Sequence, residues 1–156
     1  MTILLLLELS TVSFSQIGSK KDTTHLQDVE ISLSLSSMFR QIGGVYELSL
    51  KNNSWSATFY DNRTKKLKKI TNSDSILSAT FLKLKDNNLF ILPDQQTLKL
   101  KGSIDDGMSY SLMYTIGTNS RSYTYENPDL YLEINKGVKE LEYFCNILTI
   151  FKKLFP

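Results

Sequence analysis

Residues that carry catalytic or metal chemistry are scarce in this 156-residue chain, which contains one Cys and one His. A disulfide framework and a Cys/His zinc site each need more of these residues, so both are excluded. Only 7 Gly and 3 Pro are present, which excludes a collagen-like or low-complexity chain. The charges nearly cancel, with 18 Lys+Arg against 16 Asp+Glu. This balance does not predict a nucleic acid as partner.

Motifs that would bind a cofactor are also missing. The sequence contains no D-x-D-x-D-G calcium loop, no G-x-G-x-x-G and no Walker motif, so we expect no cofactor and no metal. His25 lies in a polar stretch and Cys145 on an apolar helix face, which are poor places for a catalytic base and nucleophile. Asp105 and Asp106 lie in a turn, where Asp has backbone roles. We therefore expect a non-enzymatic protein, and the alternative is a small periplasmic hydrolase that uses paired carboxylates.

The N-terminal segment is typical of an export signal. Residues 1–15 (MTILLLLELSTVSFS) contain an apolar run that is shorter than the roughly 20 residues needed to span a bilayer. Its length suits the hydrophobic region of a signal peptide. We predict cleavage near Ser15/Gln16, a flexible arm over 16–27, and a single domain over 28–156. The mature chain would be periplasmic or secreted and would have no transmembrane span.

Two features of this segment depart from the signal-peptide pattern. No basic residue precedes Lys20, and Glu8 interrupts the apolar run. A start codon further upstream would explain the missing basic residues. The alternative interpretation of the segment is a buried N-terminal strand or helix.

Alternating apolar and polar residues predict the strands. One strand is predicted over 28–36. A hairpin is predicted over 44–51 and 54–61, because Asn52-Asn53 suits a two-residue turn with positive φ. That turn pairs Leu50 with Trp55, Leu48 with Ala57, and Tyr46 with Phe59, which places all six on one face.

Residues 61–92, which follow the hairpin, are predicted to contain several different elements. Residues 61–70 form a turn and a basic stretch that is compatible with a short edge strand. Cap residues at 71–74 favour a helix to about residue 85, with a strand as the alternative. Residues 89–92 are interpreted as a buried crossing that ends at Pro93.

A meander is predicted next. It pairs Leu100 with Leu112 and Leu98 with Tyr114 across a loop at 105–107, and it then pairs Tyr114 with Tyr123 and Leu112 with Tyr125 across 117–120.

Apolar residues at spacings of three and four predict an amphipathic helix over 136–154. The expected fold is α+β: an antiparallel sheet of five or six strands packed by this helix and the shorter middle helix. Trp55 and Tyr114 are expected to be buried beneath the C-terminal helix, on one shared face of the sheet. The tyrosines of 110–125 would then belong to the core.

The remaining candidates for binding are basic. They are Arg63, Lys65, Lys66, Lys68, Lys69 and, further along the chain, Arg121. Such a run can contact phosphates, lipopolysaccharide or an anionic glycan, but it is more typical of a solvated turn and edge strand whose lysines protect against aggregation. Because no aromatic residue interleaves with the run, base stacking is not expected. We predict a binding or envelope-interaction module whose partner is a protein, a glycan or an envelope component, and not a nucleic acid.

Several stretches resemble small exported proteins of unknown function from Gram-negative bacteria. They are NNSWSATFYD (52–61), LFILPDQ (89–95), DGMSYSLMYTIGTNSRSYTYENPDLY (106–131) and the terminal ELEYFCNILTIFKKLF. The resemblance covers most of 44–155 and consists of turn and strand patterns. It implies export, and it supplies no catalytic residues.

Overall fold

The computed structural model describes residues 27–37, 43–104 and 107–156. These residues form one six-stranded antiparallel sheet and three α-helices, which confirms the predicted α+β class. The strands are β1 (Val29–Ser37), β2 (Gly44–Lys51), β3 (Ser54–Asp61), β4 (Lys66–Ile70), β5 (Met108–Ile116) and β6 (Asn119–Glu126). The helices are α1 (Asp74–Asp86), α2 (Pro128–Ile134) and α3 (Lys139–Leu154). The order β4-β3-β2-β1-β5-β6 places β4 and β6 at the two edges of this sheet.

The β2–β3 hairpin has the predicted bounds and register. Leu50 pairs with Trp55, Leu48 with Ala57, and Tyr46 with Phe59. The turn residues Asn52 and Asn53 have φ values of 51° and 60°, as a two-residue turn of the I′ kind requires. Turn chemistry and hydrophobic alternation specify the same register, and the structure adopts it.

The predicted meander is wrong at its first strand. Leu98 and Leu100 are not in a strand, and β1 takes the place beside β5, where Ile31 pairs with Tyr114 and Leu33 with Leu112. The physical reason is length, because β1 and β5 pair over nine residues each, whereas the 98–101 segment offers four. That segment instead packs its two leucines against the edge of the core.

Asn135, which is buried after α2, fixes the 98–101 segment. Its side-chain oxygen accepts a hydrogen bond from the Lys101 amide at 2.6 Å, and its amide nitrogen donates to the Lys101 carbonyl at 3.1 Å. The same nitrogen donates to the Tyr131 carbonyl at 3.0 Å. One side chain thus satisfies both backbone groups that a strand would have used for pairing.

The β5–β6 register differs from the prediction by two residues. Tyr123 pairs with Leu112, and Tyr125 pairs with Tyr110. The turn contains two residues rather than four, with Gly117 at φ 57° in its first position, where Gly is favoured in a II′ turn. A shift of two preserves the side-chain faces, so the expected placement of the tyrosines in the core is confirmed by the burial of Tyr110, Tyr123 and Tyr125.

The helices begin close to the predicted positions. α1 starts at Asp74, but Ser73 makes no side-chain cap hydrogen bond. The Asp74 carboxylate instead accepts a hydrogen bond from the Trp55 amide at 2.7 Å, which ties α1 to β3. α3 starts three residues later than predicted. α2 was not predicted from the sequence, although Pro128 at its start is a common helix-opening residue.

Only one face of the sheet carries the core. The apolar residues of the hairpin and of β5 and β6 share this face, as predicted. α3 covers it with a fully buried stripe of Leu141, Phe144, Ile147, Leu148 and Phe151. Trp55 is buried, as expected, but its ring lies 5.2 Å from that of Phe81 on α1. The expectation that Tyr114 is buried is wrong: it is half-buried, and its hydroxyl donates to the Phe90 carbonyl at 3.2 Å.

Candidate functional site

Five of the predicted basic residues lie together at one edge of the sheet. Arg63 and Lys65 are in the turn that precedes β4, and Lys66, Lys68 and Lys69 are on β4 itself. β4 pairs with β3 on one side only within the described residues. We call the turn 62–65 together with β4 the basic edge. Its position confirms that the basic stretch contains a short edge strand.

The Asp61 carboxylate builds the turn of the basic edge. It accepts hydrogen bonds from the Arg63 amide at 2.8 Å and from the Thr64 hydroxyl at 2.8 Å. These bonds, that of the Thr64 hydroxyl first, hold the pKa of Asp61 below its ordinary value of 3.8. The bonds lower the pKa because they stabilise the ionised carboxylate in the folded chain. Their contribution to folding stability is fully present above the ordinary pKa of the carboxyl group and is lost as the pH falls through the lowered pKa.

The cations of the basic edge outnumber the carboxylates beside them, since among the described residues Asp61 alone lies across from Lys66 and interacts with the charge of Arg63. The Lys68 ammonium donates to an oxygen of Pro156 at 2.7 Å. For the other four cations, no carboxylate of the described residues lies within ion-pair distance. The ion pair found among the described residues joins Lys51 to Glu30 and does not involve the basic edge. Register places Lys66 and Lys68 on the core side of the sheet and Lys69 on the opposite side. Positive charge therefore flanks both sides of the edge.

Arg121 does not join this cluster. It lies on β6, and its guanidinium stacks 4.8 Å from the centre of the Tyr123 ring. Because β4 and β6 are opposite edges of a six-stranded sheet, five strand spacings of about 4.8 Å separate them by roughly 24 Å. The structure therefore assigns Arg121 to a different surface from the other five basic residues.

The C-terminal half of the β6 edge is capped by side chains. The Asp94 carboxylate accepts a hydrogen bond from the Thr124 amide at 3.0 Å, and the Gln95 side-chain oxygen accepts one from the Glu126 amide at 2.9 Å. Two of the backbone donors that an incoming strand would use are thus already occupied. Within the described residues, no side chain hydrogen-bonds to the backbone of β4 in this way. The two edges consequently differ in their availability to a partner.

The face opposite the core is lined by hydroxyl groups. Its residues are half-buried or exposed, and none of them is buried. Most are Ser or Thr: Ser32, Ser34, Ser36, Ser49, Ser54, Ser56, Thr58, Ser109, Ser111, Thr115, Ser120, Ser122 and Thr124. The exposed apolar residues of this face include Tyr60 and Leu67, which are cross-strand neighbours at the basic edge. Leu67 is 63% exposed. An apolar contact point therefore accompanies the charge at this edge.

The tyrosines of β5 and β6 serve packing. Burial raises the pKa of Tyr123 and Tyr125 well above the ordinary value of 10. The Tyr125 hydroxyl donates to the Pro93 carbonyl at 2.7 Å, and its ring stacks on Phe144 with centroids 3.9 Å apart. These groups remain neutral at physiological pH and face the core, so they do not line a ligand site.

Cys145 is not activated as a nucleophile. Burial, together with a hydrogen bond to Asp129, raises the pKa of its thiol to about 12. Since the thiolate is the reactive species, almost none is present at neutral pH. This agrees with the packing role predicted from its place on the apolar helix stripe.

The described clefts offer little for catalysis. A cleft of about 250 Å³ beside β6 has Glu126 as its one carboxyl group and is otherwise lined by neutral residues such as Gln96 and Tyr131. A shallow depression of about 600 Å³ between α2 and α3 carries Asp129, Glu133 and Glu142, all exposed to solvent. The described residues contain no His/Cys/Asp/Glu group that is suited to a metal ion. His25, Asp105 and Asp106 lie outside the described residues, as do the predicted signal peptide and residues 16–26 of the predicted arm.

The capping of β6 could not be predicted from the sequence, although the basic run could. The capping residues Asp94 and Gln95 precede the β6 residues that they bind by about thirty positions. Among the described helices, none has the length and apolarity needed to cross a bilayer. Neither the protein-family models nor the curated proteins compared with this chain give a match.

Proposed function

We propose that this chain is an exported, non-enzymatic binding module that contacts an anionic partner through the basic edge. The observation that carries the proposal is the contrast between the two sheet edges. Asp94 and Gln95 cap two outward amides of β6, whereas β4 and its turn carry an excess of cations and β4 is unpaired on its outer side within the described residues. A surface of one charge sign attracts and orients partners of the opposite sign.

The alternative function, a small hydrolase of the periplasm, has weaker support. Paired carboxyl groups perform acid–base catalysis when their environments differ enough to separate their roles. The carboxyl groups of the α2–α3 depression all lie in solvent, and the Cys145 thiol is protonated. Hydrolytic activity that disappears on replacing Asp105 or Asp106 by Asn would favour this alternative over the binding module.

Export is tested at the N-terminus of the native protein. We expect the chain purified from the cell envelope or the medium to begin near Gln16, because the apolar run of 1–15 and the small residues Ser13 and Ser15 fit signal-peptidase cleavage. N-terminal sequencing measures this directly. A chain that begins at Met1 would contradict export by a cleaved signal.

The binding proposal is tested with a simple anionic polymer. We expect poly-L-glutamate to bind the purified chain in a calorimetric titration and to bind more weakly as salt is added. The reason is screening, since the Debye length shortens from about 30 Å at 0.01 M salt to about 8 Å at 0.15 M. Neutral dextran and poly-L-lysine serve as control polymers. Equal binding of dextran, or an affinity that salt does not change, would overturn the proposal.

A further inference from the structure

We infer that the partner binds as an added strand: an extended acidic polypeptide segment that pairs with the outer side of β4 and makes a seventh strand of the sheet. This inference rests on the proposed function and specifies its geometry. It assigns recognition to the backbone of residues 66–70 as well as to the lysine side chains.

The backbone of β4 is available for pairing on its outer side within the described residues. A strand with a neighbour on one side directs alternate N–H and C=O groups outward, and such a row is a template for another strand. β4 pairs with β3 through all five of its residues, so its backbone is already extended and requires no rearrangement. Hydrogen bonds along the row supply affinity in strand addition, and side chains on the two faces supply specificity.

The opposite edge of the sheet, β6, is less accessible to an incoming strand. Asp94 and Gln95 occupy the Thr124 and Glu126 amides on β6, so a strand added there would have to displace both side chains. Within the described residues, no such side chain occupies β4. Side chains thus cap part of the β6 edge and leave the described edge of β4 open along its whole length, so β4 is the more accessible edge for an incoming segment.

The lysines of β4 indicate which kind of segment can pair with it. Lysines on an edge strand disfavour pairing with a second copy of the same edge, because like charges would lie opposite one another. The same lysines favour a strand that carries carboxylates at the facing positions. An acidic segment is thus accepted and a second copy is rejected by the same residues.

The register of β4 also predicts the pattern of the incoming segment. Leu67 and Lys69 lie on the hydroxyl-lined face, and Lys66 and Lys68 lie on the core side. A matching segment carries an apolar residue opposite Leu67 and carboxylates opposite Lys66 and Lys69. Leu67, which is 63% exposed beside Tyr60, gains burial from that apolar residue.

The test uses an acidic peptide of alternating pattern and two N-methylated versions of it. Each version replaces every second amide hydrogen by a methyl group, in one of the two possible phases. In one phase the lost donors face β4, and in the other they face solvent. We expect the first to bind at least about tenfold more weakly than the parent peptide and the second to bind like the parent. Hydrogen exchange of the outward-facing amides of Lys66–Ile70 is measured in parallel, and we expect the parent peptide to slow it.

The outcomes separate the inference from the proposed function. If both N-methylated peptides bind like the parent, strand addition is wrong while binding of an acidic partner stands. If the outward amides of β4 are already protected without peptide, the edge is occupied and the inference is also wrong. If an anionic glycan binds and the peptides do not, the partner is not a polypeptide. If no anionic probe binds, the proposed function itself fails.

Discussion

Replacing Phe144 by Ala is expected to lower the free energy of unfolding by about 3–5 kcal/mol, the range for a fully buried Phe. Phe144 has no exposed surface and lies on α3 at the centre of its packing against the sheet. Its ring stacks on Tyr125 with centroids 3.9 Å apart and meets the edge of Tyr110 at 6.3 Å. Truncation removes these two aromatic contacts between α3 and strands β5 and β6 and leaves a cavity there.

Urea unfolding followed by circular dichroism measures this loss. Domains of this size are stable by only about 5–15 kcal/mol, so Phe144→Ala threatens folding itself. Phe144→Leu keeps most of the buried volume and gives a folded variant with a smaller loss. Asn146→Ala, on the exposed side of the same helix, is the surface control and is expected to change stability by less than about 0.5 kcal/mol. A loss below about 1 kcal/mol for Phe144→Ala would contradict the described packing of α3.

The hairpin shows what local sequence determines. Asn52 and Asn53 tolerate positive φ, and the alternation on both sides of them allows one register that gathers the apolar residues. Turn and pattern lie within eighteen residues, so both were predictable. The tyrosine face was predictable for a related reason: a register error of two residues leaves Tyr123 and Tyr125 on the same side of the sheet.

Strand order depends on competition between segments that are distant in the sequence. Both 28–36 and 98–101 alternate, and either is able to pair with β5. The longer β1 prevails, and Asn135 holds the other segment outside the sheet. The accessible edge of the site follows from this order, so a local pattern does not reveal it. Arg121 shares only its positive charge with the basic run, because it lies on β6, at the opposite edge of the sheet from β4.

Reversing the charge of Lys66 and Lys69 is expected to weaken binding of poly-L-glutamate by at least about tenfold. These two lysines flank β4 on opposite faces, are exposed, and have no carboxylate of the described residues within ion-pair distance. Glu at both positions places like charge opposite the partner, and like charges in facing positions cost binding energy. Lys68 is left unchanged because its ammonium group donates a hydrogen bond to Pro156.

Two controls keep this prediction specific to the basic edge. Lys136→Glu with Lys139→Glu changes the net charge by the same amount at exposed positions near the start of α3, and we expect binding close to that of the unchanged chain. Arg121→Gln removes a cation from the opposite edge and is expected to have an equally small effect. Unchanged unfolding curves would exclude loss of structure as the cause of weaker binding.

The most direct test of the central claim is therefore one calorimetric comparison at low salt. It measures the affinity for poly-L-glutamate of the Lys66→Glu/Lys69→Glu variant against that of the Lys136→Glu/Lys139→Glu variant. We predict a loss of at least about tenfold in the first variant and near-native affinity in the second. Equal losses in the two variants would mean that net charge alone attracts the polymer, and they would contradict a binding site at the basic edge.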